Sequence, residues 1–151
     1  MSNTLQIYTD ASVIKEKSYI AFVAFTEDTH VMSRVYELEE DNIYEAEKQA
    51  VITAIREIPQ KPYKAVRVYV DNQAAICSLR TMVNKGVEPF DRFDNIIIDK
   101  IEAHQTNSNP NKIADMLASA GRCYYDNGSQ PRALYHLQYP SRIAANFDIT
   151  S

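Results

Sequence analysis

Cysteine is scarce in this 151-residue chain: Cys77 and Cys123 are the only two, and neither has metal-type spacing around it. That argues against a disulfide-stapled scaffold and a thiolate metal site, and both are expected to be reduced thiols and small buried residues. No apolar run approaches the ~18 residues that a membrane span requires. MSNTLQIYTD carries no apolar leader, so an unsecreted, cytoplasmic protein with no membrane partner is expected. Excess positive charge is missing as well. Sixteen Lys and Arg stand against 20 Asp and Glu, a net charge of −4, whereas a protein that held nucleic acid by charge alone would be basic. Internal repeats and low-complexity tracts are absent too. What remains is an ordinary soluble composition, 45% apolar and 24% charged, long enough for one domain that buries roughly two-thirds of its unfolded surface.

Leu5 to Thr9 alternates apolar and polar residues and stops at Asp10, which predicts a strand delivering a carboxylate at its end. Tyr19 to Phe25 is apolar enough for a strand buried on both faces, and Val31 to Leu38 alternates again. Three strands with short connections make an antiparallel meander. The period then changes. Ala46, Ala50, Val51, Ala54 and Ile55 recur at helical spacing, with Asp41 or Asn42 and Glu45 placed to cap the start and Ile58-Pro59 to end it. Ala65 to Val70 is a β-branched strand that stops at Asp71, and Asn72 to Asn84 is a helix stopped by Lys85-Gly86. Pro89 to Asn95 reads as a polar connection, Ile96 to about Ala103 as a last strand, and Asn111 to Tyr125 as a final helix stopped by Asn127-Gly128.

The expected fold class is therefore α/β, a five-stranded mixed sheet in the order βββαβαβα flanked by helices, with crossovers joining the later strands. Residues 1–127 form the domain and 128–151 a tail packed on it or mediating contacts. The C-terminal stretch interleaves Arg122, Arg132 and Arg142 with Tyr124, Tyr125, Tyr135 and Tyr139, tyrosines expected to pack on the domain, with stacking on bases as the alternative.

In sheets with crossovers, strand ends gather on the edge where ligands bind. Asp10 and Asp71 end adjacent strands there, with Glu47 and Asp115 in the first turns of helices. A lone Asp ending a strand is commonly a turn former, and Asp115 alone could simply favour a helix N-terminus. Glu45 competes with Glu47, but its spacing to Ala50 favours Glu47. Carboxylates converging at ~5 Å would repel by roughly 3 kcal/mol per pair at an effective dielectric of 20, so the cluster calls for cations. Oxygen-only ligands favour Mg²⁺ or Mn²⁺, and two such ions about 4 Å apart suit in-line displacement at phosphorus.

The segments YTDAS (8–12), AEKQAVITAI (46–55), VYVDNQAAI (68–76) and His104 followed by NKIADMLASA (111–120) resemble, in order, the four motifs of type 1 ribonuclease H and of retroelement ribonuclease H domains. The resemblance covers about residues 4 to 126. It implies a ribonuclease H-like fold and an endonuclease that cuts the RNA strand of RNA–DNA hybrids, leaving 5′-phosphate and 3′-hydroxyl ends. Asp10 would then bridge two ions, with Glu47 and Asp71 completing one site and Asp115 the other. His104 would assist proton transfer or product release. Gln73 would touch bases from the minor groove, Asn111 would lie near the scissile phosphate, and Ser12 would follow the first motif at the substrate. A monomer with no small-molecule cofactor is expected.

The chain departs from the family in three places. Ala11 stands where cellular members have glycine, Tyr44 replaces an asparagine that helps recognise the hybrid, and the stretch from Asp71 to His104 is too short for the basic handle helix of many bacterial members. Affinity for nucleic acid is then expected to be modest and salt-dependent, helped by Arg80, Lys85, Lys100 and Lys112 beside the proposed edge. Two alternatives share these motifs: a nuclease of the same fold acting on double-stranded RNA or DNA junctions, and an inactive nucleic-acid-binding or interaction module.

Overall fold

Alternation and helical period resolve into one mixed sheet with two helices in a computed structural model that describes residues 4–14, 16–26, 29–61 and 63–100. The strands are β1 (Thr4–Ile14), β2 (Lys17–Thr26), β3 (Thr29–Leu38), β4 (Ala65–Val70) and β5 (Asn95–Lys100), and the helices are α1 (Ile43–Glu57) and α2 (Gln73–Lys85). A short 3-10 turn, Phe90–Arg92, precedes β5. The sheet order is β3-β2-β1-β4-β5. β1, β2 and β3 pair antiparallel, whereas β4 runs parallel to both β1 and β5. The expected final helix, the tail and the proposed 127/128 boundary lie outside the described residues, as do residues 101–103 of the last strand. No described helix is long and apolar enough to cross a membrane.

Strand parity builds the core. Leu5 and Ile7 of β1 pair in register with Val66 and Val68 of β4, so all four share one face, where Val51 and Ile55 of α1 and Ala75, Ile76 and Leu79 of α2 cover them. β2 is buried from Ser18 to Phe25, as expected of a strand enclosed on both faces. Helix ends follow the side chains that serve them. Asn42 accepts from the Glu45 N–H at 3.1 Å and Asn72 from the Ala75 N–H at 2.9 Å, each satisfying a backbone donor that the first turn leaves free. Gly86 closes α2 at φ 63°, its N–H donating to the Val83 carbonyl and that of Val87 to Met82, the double bond that a left-handed glycine permits.

Two expectations are corrected. β1 does not stop at Asp10 but runs on to Ile14, because β2 pairs with it as far as Ile14↔Lys17 and keeps that side of the backbone satisfied. The stretch before β5 is more than a polar connection, since Phe90 and Phe93 are buried in the main core. Between them Arg92 donates to the carbonyls of Ile55, Arg56 and Ile58, groups that the last turn of α1 leaves without a helical partner.

Candidate functional site

The two ladders on β1 have unequal lengths, and that difference opens a gap. β2 follows β1 from Gln6 to Ile14, but β4 pairs with it only from Thr4↔Ala65 to Tyr8↔Tyr69. Beyond Tyr8 the β4 side of β1 has no ladder partner among the described residues, and Asp10 stands two residues into that stretch. β4 ends at Val70, so Asp71 follows on the same rim, and Asn72 turns the chain directly into α2. α1 crosses β1 and β2 and places Glu47 in its early turns.

Glu47 is 4% exposed, one of three buried polar residues among those described, with Thr9 and Ser18. Burial first, and the nearby negative charge of Asp71 second, push its carboxyl from an ordinary 4.5 up to about 8. A hydrogen bond shared with the Asp10 side chain and the nearby Ala11 N–H pull in the opposite direction. That N–H also donates to Asp10 Oδ1 at 2.9 Å. Glu47 Oε1 is buried without a hydrogen-bond partner among the described residues. Asp10, Glu47 and Asp71 are thus brought into one electrostatic neighbourhood. Asp71 is exposed and acts on Glu47 through its charge. Among the described residues no three His, Cys, Asp or Glu side chains form a closed metal-holding group; Asp115 lies outside those residues. The chemistry of the donors still fits a hard divalent ion: all are carboxylate oxygens, and Glu47 Oε1 is a buried acceptor that no described residue bonds.

The other expected residues fall as follows. Ser12 shares the Asp10 face of β1, its hydroxyl buried without a partner among the described residues. Gln73 is exposed at the first position of α2, its amide 3.7 Å from Cys77 Sγ. Cys77 is exposed, not buried as expected, because it sits on the outer face of α2. Arg80 is committed elsewhere, donating to the Ile98 carbonyl at 2.9 and 2.7 Å and lying 3.7 Å from Asp99. Lys100 pairs with Val70 and so reaches the Asp71 rim. Lys85 does not flank that rim, since it ends α2 roughly 18 Å from the helix start at 1.5 Å per residue. His104, Asn111, Lys112 and Cys123 lie outside the described residues.

Two features at the rim were passed over in the sequence. Tyr8 and Tyr69 stack with centroids 4.6 Å apart on the last rung of the β1–β4 ladder. Burial, then Tyr69, raises the Tyr8 hydroxyl above its ordinary value. Thr9 is fully buried and donates to the Tyr69 carbonyl at 3.2 Å. A signal for Thr9 existed, for it shares the parity of Leu5 and Ile7 and is therefore a polar residue on the apolar face.

No family model matches the chain, and no curated protein matches it.

Proposed function

We propose that the chain is a metal-dependent endonuclease of ribonuclease H-like fold that hydrolyses the RNA strand of RNA–DNA hybrids, leaving 5′-phosphate and 3′-hydroxyl ends. The observation that carries this reading is the convergence of Asp10 and Asp71 on the buried Glu47 at the point where the β1–β4 ladder ends. A carboxylate buried at such a cost to its ionisation, as Glu47 is, has a use if a cation holds it. The order of the described elements, βββαβαβ, and the four motifs in sequence support the same reading.

Asp10, Glu47, Asp71 and Asp115 would hold two Mg²⁺ or Mn²⁺ ions. When bound, such ions supply an activated water and neutralise the departing oxygen at phosphorus. The residues of the chain contribute the rest. Burial keeps Glu47 clear of competing solvent, Gln73 stands exposed two residues beyond Asp71 to meet the substrate, and Lys100 offers a cation to a phosphate at the same rim. His104 and Asn111 would assist proton transfer and phosphate placement. The enzyme would act as a cytoplasmic monomer, with nucleic acid as its partner and no small-molecule cofactor.

The direct test is incubation of purified protein with an RNA–DNA hybrid and Mg²⁺ or Mn²⁺. Cleavage by the wild type and none by Asp10→Asn is expected; an inert wild type, or equal cleavage by both, would overturn the proposal. One observation favours a broader substrate range. Tyr44, where the ribonuclease H family that the motifs resemble carries a hybrid-recognising asparagine, packs against the core and lies beneath Lys48 at 5.2 Å, so position 44 serves packing. Double-stranded RNA and DNA junctions belong in the same assay.

A further inference from the structure

The geometry points to Thr9 as a positioning residue that sets the spacing of Asp10 and Asp71, an inference that rests on the metal-binding reading above. The parallel ladder between β1 and β4 ends at Tyr8↔Tyr69. One residue further on, the Thr9 hydroxyl donates across the strands to the Tyr69 carbonyl at 3.2 Å. Asp10 is the next residue on one strand, and Asp71 lies two residues beyond Tyr69 on the other. The bond therefore ties the strands at the mouth of the gap in which both carboxylates stand.

Burial strengthens the case. Thr9 has no exposed surface and pairs across β2 with Phe22, itself part of the main core. A hydroxyl enclosed by apolar groups has few partners to choose from, so its direction is set by the carbonyl it meets. Valine would pack as well there. The hydroxyl earns its place through the cross-strand bond, and a group that orients ligands without touching the ion commonly affects metal affinity by about tenfold or more.

The experiment titrates MnCl₂ by calorimetry into wild type, Thr9→Val and Thr9→Ser, with the metal-free melting temperature of each recorded alongside. Thr9→Val keeps the shape and removes the donor, whereas Thr9→Ser keeps the donor and removes a buried methyl. The expected result is Mn²⁺ affinity about tenfold weaker in Thr9→Val and close to wild type in Thr9→Ser, although serine lowers the melting temperature. Should Thr9→Val fail to fold, Thr9→Ala, which also removes the donor, is read in its place against Thr9→Ser. Wild-type affinity in Thr9→Val, or a loss in Thr9→Ser that follows its stability, would overturn the positioning role. A wild type that binds no Mn²⁺ would instead overturn the metal reading on which it rests.

Discussion

Replacing Glu47 by glutamine should change how stability depends on pH in the metal-free protein, and the direction follows from where the carboxyl is held. It is 4% exposed, and burial followed by the Asp71 charge raises it from 4.5 to about 8. Between those values the folded protein keeps a proton that the unfolded chain has released. The folded state therefore carries no penalty from this group below about pH 4.5, loses stability as pH rises toward 8, and stays at the lower level above. Each pH unit in that window is worth about 1.4 kcal/mol, so the loss between pH 4.5 and 7 is roughly 3 kcal/mol. In a domain of this size that corresponds to roughly 6–12 °C in melting temperature. Glutamine has no proton to lose, and the orphaned acceptor position is common to both proteins and cancels. Melting curves from pH 5 to 8 in the presence of a chelator should show Glu47→Gln gaining on wild type steadily as pH rises. Adding Mn²⁺ at pH 7 should then raise the wild type and leave the variant nearly unmoved. Parallel pH profiles for the two proteins would refute the reasoning, because they would mean that Glu47 ionises in the folded state as freely as in the unfolded one.

Two further outcomes test the framework around the site. Phe90→Ala should cost about 3–5 kcal/mol in urea unfolding, the range for deleting a buried aromatic ring; a cost below about 1 kcal/mol, usual at the surface, would return the stretch before β5 to the status of a loop. Arg92→Ala should cost about 2 kcal/mol through the three carbonyls it leaves and should speed amide exchange in the last turn of α1, where the Ile58 N–H bonds to Ala54; unchanged exchange there would show that the turn holds without its arginine.

Where local chemistry decides the structure, it could be read from the sequence. β4 keeps its expected bounds, Ala65 and Val70, because its β-branched residues alternate with one-sided burial, and α2, Gln73–Lys85, lies within one residue of the expected Asn72 to Asn84 because Asn72 and Gly86 serve its two ends directly. The strand-end rule placed Asp71 and, with helical spacing, Glu47. It located Asp10 for an incomplete reason: the carboxylate stands where one neighbouring strand leaves off while the other continues, a property of pairing that alternation within β1 does not encode. Phe90 and Phe93 are hidden by Asp91 and Asp94, whose polarity describes the outside of a turn whose inside is core. Lys85 is not placed by sequence alone, because proximity to Gly86 says nothing about which pole of the sheet the end of α2 reaches. The direction of Arg80 is not legible in the sequence because its tie to Ile98 joins residues 18 apart.

The unequal ladders on β1 also set a limit on how stable the protein can become. Any change that let β4 zip further along β1 would add cross-strand hydrogen bonds and strengthen the sheet. It would do so by closing the gap in which Asp10 and Asp71 stand. Substitutions that tighten this junction should therefore be among the stabilising changes with the highest functional toll, while the far ends of β4 and β5, remote from the rim, are where stability can be raised without that conflict.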